Sequence, residues 1–376
     1  MTITDEMKKL GVTTLASGKY EGNAKGWIKS DISSLNRILG GGLPHGRLIE
    51  IYGAEAGGKT SFGLEYAAQL QKTGGIVVFI DAEHSASPAW FANLGVDISN
   101  MLYIQSTPEM PLALEDVYEK IEKIVKLLHE KHPKTPVLVI WDSATATPSR
   151  ARLNGAYGDS LMADAARANS QGLQKLIQVI GSTNCCLLII NQMRDGVGPY
   201  AGGSKPTGGK AFKFYASIRI KASKSYGVEY KNEITGEIIG HGLEFYVEKN
   251  KVGIPYRRAK IDMFFDSRGL DGVNSVYHSL NELKILLPAG SAGKKLILPG
   301  GTELKFKLDD WRKIYEENKE VIDHILEEYI DDSEGETKPP DIPEEQPTGV
   351  DTTDVSKGTS RTYKITPAKK NVKKSK

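Results

Sequence analysis

The chain of 376 residues has 39% hydrophobic and 26% charged residues, the composition of an ordinary globular protein of about two domains that builds its core without disulfide or metal staples. With 49 Lys and Arg against 47 Asp and Glu, the net charge of +2 excludes a globally basic coat, so any nucleic-acid binding must come from local patches. The only cysteines, Cys185 and Cys186, are adjacent, which excludes a disulfide framework and favours a reducing compartment.

In chain order, residues 1–26 form a short polar, Gly-rich segment with one helical stretch near 5–10. They lack the apolar core of a signal peptide, and no later run reaches the roughly eighteen apolar residues of a membrane span. A cytoplasmic protein with no membrane partner is expected. From Trp27 strand and helix signals alternate. Residues 47–52 read as a strand, and a helical pattern follows from Lys59 to Gly74. The β-branched run 76–80 is a strand buried on both faces. Ser87, Pro88 and Gly95 mark the cap, first turn and end of a short helix. A strand at 101–105 precedes Leu114, Val117, Tyr118, Ile121, Ile124, Val125 and Leu128, whose spacing predicts a long amphipathic helix. Strand 137–141, helix 161–180 and strand 185–190 complete the alternation. The pattern predicts an α/β fold with a mostly parallel central sheet flanked by helices. After about Ala211 the strands 212–222, 243–249 and 258–265 extend that sheet with antiparallel members. Residues 270–330 read as a small C-terminal α+β domain: a helix, a strand pair within 284–306, then charged helices. The tail 331–376 is polar and Pro-rich, acidic and then basic, and is expected to be disordered. The expected division is therefore 1–26, a core over 27–269, 270–330 and the tail.

Gly53-Ala54-Glu55-Ala56-Gly57-Gly58-Lys59-Thr60 matches the P-loop pattern G-x-x-x-x-G-K-[ST], placed after a strand and before a helix. Its glycines let successive N–H groups face phosphates, and the following helix aims its positive end at them. Lys59 is assigned to the β- and γ-phosphates and Thr60, rather than Ser61, to Mg²⁺. The strand 137–141 ends in Asp142, the carboxylate that holds Mg²⁺ through a water in such proteins. Hydrolysis also needs a group to activate water. Glu83, just past the strand 76–80, is placed for that, the alternative being a solvated loop carboxylate. His84 is read as a supporting residue, and Gln192 as a γ-phosphate sensor or simply the end of an apolar strand.

Taken together, the motifs resemble the RecA recombinases. The resemblance rests on Gly42-Leu-Pro-His-Gly-Arg-Leu-Ile-Glu-Ile-Tyr-Gly53, Phe79-Ile-Asp-Ala-Glu-His84, Gly158-Asp-Ser160, Ala165-Ala-Arg167, Asn191-Gln192-Met-Arg194, Gly208-Gly209 and Lys213-Phe-Tyr-Ala-Ser217. It implies a P-loop NTPase of RecA type, using ATP and Mg²⁺. Such a protein polymerises as a helical filament on single-stranded DNA and exchanges strands with homologous duplex DNA. By the same resemblance Glu83 activates water, Gln192 couples the γ-phosphate to a DNA loop, and Lys249 and Lys251 reach the ATP of a neighbouring protomer. Trp90 stacks on adenine, with Gly53 to Ser61 around the phosphates, and Phe214 meets another protomer. Two DNA-binding loops, 154–163 and 193–209, bring Met162, Arg167, Arg194, Gly196, Gly198, Tyr200, Gly208, Gly209 and, just beyond, Lys210 to the strand.

The chain departs from the family pattern in a short N-terminal segment, Ser87 in place of an acid, Gln174 in place of Arg, Lys210 in place of Asn, and a basic tail end. These mark a divergent member, as a phage-encoded one would be. Two other readings use the same core: a ring-forming helicase motor, and a nucleotide-gated DNA-binding scaffold, which has no need of Glu83.

Overall fold

The computed structural model describes residues 24–156, 162–194, 205–206, 211–290 and 293–329. Strand β1 (Trp27–Ile28) pairs antiparallel with β2 (Leu43–Pro44), with helix α1 (Ser33–Leu39) between them in sequence. Then come β3 (Arg47–Gly53), α2 (Lys59–Lys72), β4 (Ile76–Asp81), α3 (Pro88–Asn93), β5 (Met101–Gln105), α4 (Leu114–Lys131) and β6 (Val137–Asp142). They are followed by α5 (Arg150–Asn154), α6 (Met162–Gly181), β7 (Cys185–Arg194), β8 (Lys205–Pro206), α7 (Ala211–Tyr215), β9 (Ile218–Lys231), β10 (Ile238–Asn250), β11 (Arg258–Phe264) and β12 (Leu270–Asp271). The last described elements are α8 (Val273–Glu282), β13 (Leu287–Pro288), β14 (Lys294–Ile297), β15 (Glu303–Phe306), α9 (Trp311–Glu317) and α10 (Lys319–Glu328).

A ten-stranded sheet runs β12-β11-β10-β9-β3-β7-β6-β4-β5, with β8 paired to β7. From β9 to β5 every pair is parallel, while β10, β11 and β12 add on antiparallel. Apolar side chains alternate across the strands into two cores. Ile49, Ile51, Val77, Phe79, Leu138, Ile140, Leu188 and Ile190 face Phe62, Leu64 and Tyr66 of α2 on one side. Leu48, Val78, Ile80, Val139, Trp141, Leu187 and Ile189 face α4 and α6 on the other. Helix α4 forms as its spacing predicts, burying Leu114, Val117, Tyr118, Ile121 and Val125, while the Asp116 carboxylate accepts the Ala113 N–H at 3.2 Å. A third core, around Val276, Leu280, Leu296, Trp311, Ile322 and Leu326, joins α8, α9 and α10 to the three-stranded sheet β13-β14-β15.

Three local expectations are corrected, and one helix was not anticipated. Residues 212–222 are not one strand: α7 comes first because Phe212 and Ala216, four apart, are both buried while Lys213 and Phe214 face outward. The strand beginning at Cys185 continues to Arg194. The strand pair within 284–306 is three strands. The unanticipated helix is α1: Leu35, Ile38 and Leu39 keep the helical spacing, but seven residues are too few for that period to stand out. The expected helix at 5–10 and the tail 331–376 lie outside the described residues.

Candidate nucleotide site

The carboxyl ends of β3, β4, β6 and β7 meet at one edge of the sheet, where parallel α/β folds place their ligands. Register sets the neighbours: Gly53 lies opposite Gln192 and Asp81 opposite Asp142. The loop between β3 and α2 wraps tightly. A Cβ on Gly53 would sit 1.9 Å from the Ala222 carbonyl oxygen, and Gly58 caps α2 at a φ of 77°, in the left-handed region that favours glycine. Ala54, Glu55 and Ala56 are exposed at the tip, whereas Gly57 is buried.

Lys59, buried and the first residue of α2, donates from Nζ to the Ala54 carbonyl at 2.7 Å, and burial lowers its pKa. Thr60 Oγ1 donates to Asp142 Oδ2 at 2.6 Å, bringing the two expected metal-binding side chains together. Ser61 is buried. Asp142 is 3% exposed, and burial pushes its carboxyl up to about 6; the Thr60 hydrogen bond opposes this, while Glu83 and Asp81 add to it. Two hard oxygen donors, one of them a carboxylate that resists carrying its charge alone, fit a divalent cation.

Asp81 shapes the turn beyond β4. Its carboxylate accepts the N–H groups of Glu83 (3.1 Å), Ser85 (3.3 Å) and Ala86 (3.1 Å) and the Tyr103 hydroxyl at 2.8 Å. That turn presents Glu83 to the next two strands. Glu83 Oε1 accepts from Gln192 Nε2 at 2.8 Å and from the Ser143 hydroxyl. The Gln192 N–H donates to Thr145 Oγ1 at 3.3 Å. His84 is exposed, with Nδ1 2.9 Å from Gln105 Nε2. Sequence reasoning missed Asp81, Ser143 and Thr145. The Asp81-Ala-Glu83 spacing carries a signal for the first, since a carboxylate two residues back caps such a turn; the other two have none.

Trp90 sits on α3, partly buried against the core, and its N–H donates to the capping Ser87 Oγ at 3.3 Å. Lys249 and Lys251 lie toward the opposite end of the strands, at the close of β10. Asn250 pairs with Ile218 and Ile218 with Ile49, four residues before Gly53, a rise of roughly 13 Å along the strand. Lys249 Nζ donates to the carbonyls of Lys213 (2.7 Å) and Phe214 (3.2 Å). Its pKa falls to about 8 through burial, then Lys251 and Arg219. Neither lysine is placed to reach its own phosphate loop. Phe214, beside them, is 67% exposed.

Of the expected DNA-binding residues, Arg167 is exposed on the first turns of α6, with Asp164 at 3.5 Å. Met162 opens that helix, and Arg194 closes β7 opposite Lys205 of β8, so the second loop leaves the sheet two residues after Gln192. Gly196, Gly198, Tyr200, Gly208, Gly209 and Lys210 lie outside the described residues. No helix among the described residues is long and apolar enough to cross a membrane.

Comparison with known proteins gives a consistent result. The sequence profile of the RecA N-terminal domain matches residues 3–271. The chain is 37% identical over 275 residues to protein RecA of Trichodesmium erythraeum, covering 70% of this chain and 69% of that one. It is 35% identical over 308 residues to protein RecA of Mesomycoplasma hyopneumoniae strain 7448, covering 80% and 86%.

Proposed function

The chain belongs to the RecA family, an ATP-dependent recombinase of DNA recombination and repair, and from that premise we propose how its own residues carry the activity. Members of the family are DNA-dependent ATPases, and this chain is one. In the proposed site the 53–60 loop and Lys59 hold the phosphates of ATP, with Thr60 and Asp142 as the Mg²⁺ ligands. Bound there, Mg²⁺ supplies charge neutralisation. Glu83 takes the proton of the attacking water, and Gln192 responds to the γ-phosphate. The first loop with Met162 and Arg167 at the start of α6, and the second loop with Arg194, Gly196, Gly198, Tyr200 and Gly208 to Lys210, take the single strand. Lys249 and Lys251 act on the nucleotide of the next protomer in a helical filament, by the logic of an arginine finger.

One observation carries the reading. The 2.8 Å hydrogen bond from Gln192 to Glu83 joins the base of the DNA loop to the carboxylate proposed to activate water. A γ-phosphate competing for the Gln192 amide loosens that bond and moves the strand end from which the loop departs. ATP then biases the loop toward its DNA-binding arrangement, and hydrolysis releases it.

The test is ATP hydrolysis with and without unstructured single-stranded DNA at two salt concentrations, followed by strand exchange into homologous duplex. Stimulation by DNA that fades with salt, together with exchange, is expected. Turnover indifferent to DNA would overturn the assignment of the loops. Unwinding without pairing would point to a ring motor.

A further inference from the structure

The middle of the sheet carries a buried polar row that the nucleotide chemistry does not use. On the α6–α7 face, where Leu48 and Ile189 are packed apolar, β3 presents Glu50, β7 presents Asn191 and β9 presents Arg219, each less than 5% exposed. Removing such charges from water costs about as much as their pairing returns, and an apolar trio of similar volume would serve stability equally well. Their presence calls for another role.

The contacts form a continuous line. Thr145 Oγ1, which receives the Gln192 N–H, donates to Asn191 Oδ1 at 3.0 Å. Asn191 Nδ2 donates to Glu50 Oε1 at 2.8 Å. The other oxygen of Glu50 accepts from Arg219 Nε at 2.5 Å, and Arg219 Nη1 donates to Glu248. The guanidinium lies 4.6 Å from the centre of the Tyr52 ring, which fixes its plane. Burial works against the Arg219 charge, yet Glu50 and Glu248 hold its pKa above the ordinary value. Arg219 pairs in register with Lys249, and Glu248 is the residue before it. The line thus starts at the backbone of the γ-phosphate sensor and ends at the strand carrying Lys249 and Lys251. It crosses three strand spacings, roughly 14 Å.

We infer that Asn191, Glu50 and Arg219 are positioning residues that hold the strand end bearing Lys249 and Lys251 in place from the Gln192 end of the row in the same protomer. The inference rests on the proposed action of those lysines on the neighbour's nucleotide. Glu50 has two oxygens and two fixed donors, so loss of the Asn191 amide leaves one oxygen unpaired in a buried site. Arg219 then shifts to share its donors with that oxygen and draws away from Glu248. The strand end holding Lys249 loses its anchor, and the placement of both ammonium groups is lost with it. Each protomer thereby offers its lysines to the next site only while the row is intact.

The experiment uses mixed filaments on single-stranded DNA. Excess donor protomers carry Glu83→Gln, so they bind ATP without turning it over, and a minority of wild-type acceptors supplies all the hydrolysis. Donors also carrying Lys249→Ala with Lys251→Ala are the control for action across the interface. Donors carrying Glu50→Gln are expected to lower acceptor kcat at least fivefold, as the lysine control does, with acceptor KM for ATP unchanged. Donors carrying Thr145→Val, which keeps the side-chain volume and cuts the line at its sensor end, are expected to act in the same direction. Anisotropy of labelled DNA verifies that each donor enters the filament; where Glu50→Gln does not assemble, Thr145→Val decides. Acceptor turnover within twofold of the Glu83→Gln reference, with the lysine control still lowering it, overturns the positioning role. Full turnover with the lysine control removes the action across the interface, and the inference falls with it.

Discussion

Replacing Asp142 by Asn should make the nucleotide-free protein more stable while abolishing turnover. The carboxyl is 3% exposed, and its pKa is raised from 3.8 to about 6, chiefly by burial. A group whose folded pKa lies above its unfolded value contributes stability that is fully present below the unfolded pKa and lost as pH rises through the folded one. Here that window runs from about pH 4 to about pH 7. Each tenfold change in proton affinity is worth about 1.4 kcal/mol, so a rise of this size sets the loss at about 3 kcal/mol at pH 7.5. Asparagine keeps an oxygen for the Thr60 hydroxyl but adds an amide that needs its own acceptor, which offsets about 1 kcal/mol. The expected net gain for Asp142→Asn is about 1–3 kcal/mol at pH 7.5, falling to roughly a third of that at pH 5.

Urea unfolding in the presence of a chelator, at both pH values, measures this through the shift in midpoint at a common slope. Saturating Mg²⁺ and nucleotide should reverse the ranking, because only the wild type then gains the full linkage stabilisation of ligand binding. A variant no more stable than wild type at pH 7.5, or one whose advantage does not shrink at pH 5, would refute the reasoning that burial makes this carboxylate's charge costly.

Other expectations are narrower. Lys59→Ala, which removes the ammonium now held by the Ala54 carbonyl, should abolish ATP-dependent binding of single-stranded DNA, read by anisotropy with and without ATP. Glu83→Gln should lower DNA-stimulated turnover by roughly two to four orders of magnitude while leaving nucleotide binding within a few-fold; unchanged turnover would favour a nucleotide-gated scaffold. Gly172 faces the Tyr118 ring so closely that a Cβ would lie 2.3 Å from it. Gly172→Ala should therefore cost about 1–3 kcal/mol by overpacking α4 against α6, seen as a lowered melting temperature with turnover per folded molecule retained.

The parts legible in the sequence are those encoded by local rules. The loop from Gly53 to Thr60 and the strand ending in Asp142 are linear patterns whose chemistry is carried by adjacent residues, and hydrophobic period sufficed for α4 and the parallel strands. Period failed where the element is too short for it to stand out, as in α1, or where an apolar run hides a helical spacing, as in α7. The functional pairings are a different matter. Glu83 and Gln192 are 109 residues apart, and Glu50 is 141 from Asn191 and 169 from Arg219. These partners are chosen by the register of β4, β6, β7, β3 and β9, which no local signal specifies.

That distinction bears on how the fold serves its chemistry. In β3 the Glu50 side chain looks like an interruption of an apolar strand, and its cost is intelligible only once register brings Arg219 and Asn191 to it. The same register places Gln192 beside Gly53 at one end of the strands and Lys249 beside Arg219 toward the other. A sheet of rigid parallel strands keeps those separations fixed to within a fraction of a strand spacing. A change at the sensor edge therefore cannot be absorbed locally by the apolar cores packed against both faces. In the proposed filament the polar row is what ties the sensor to the strand end with Lys249 and Lys251.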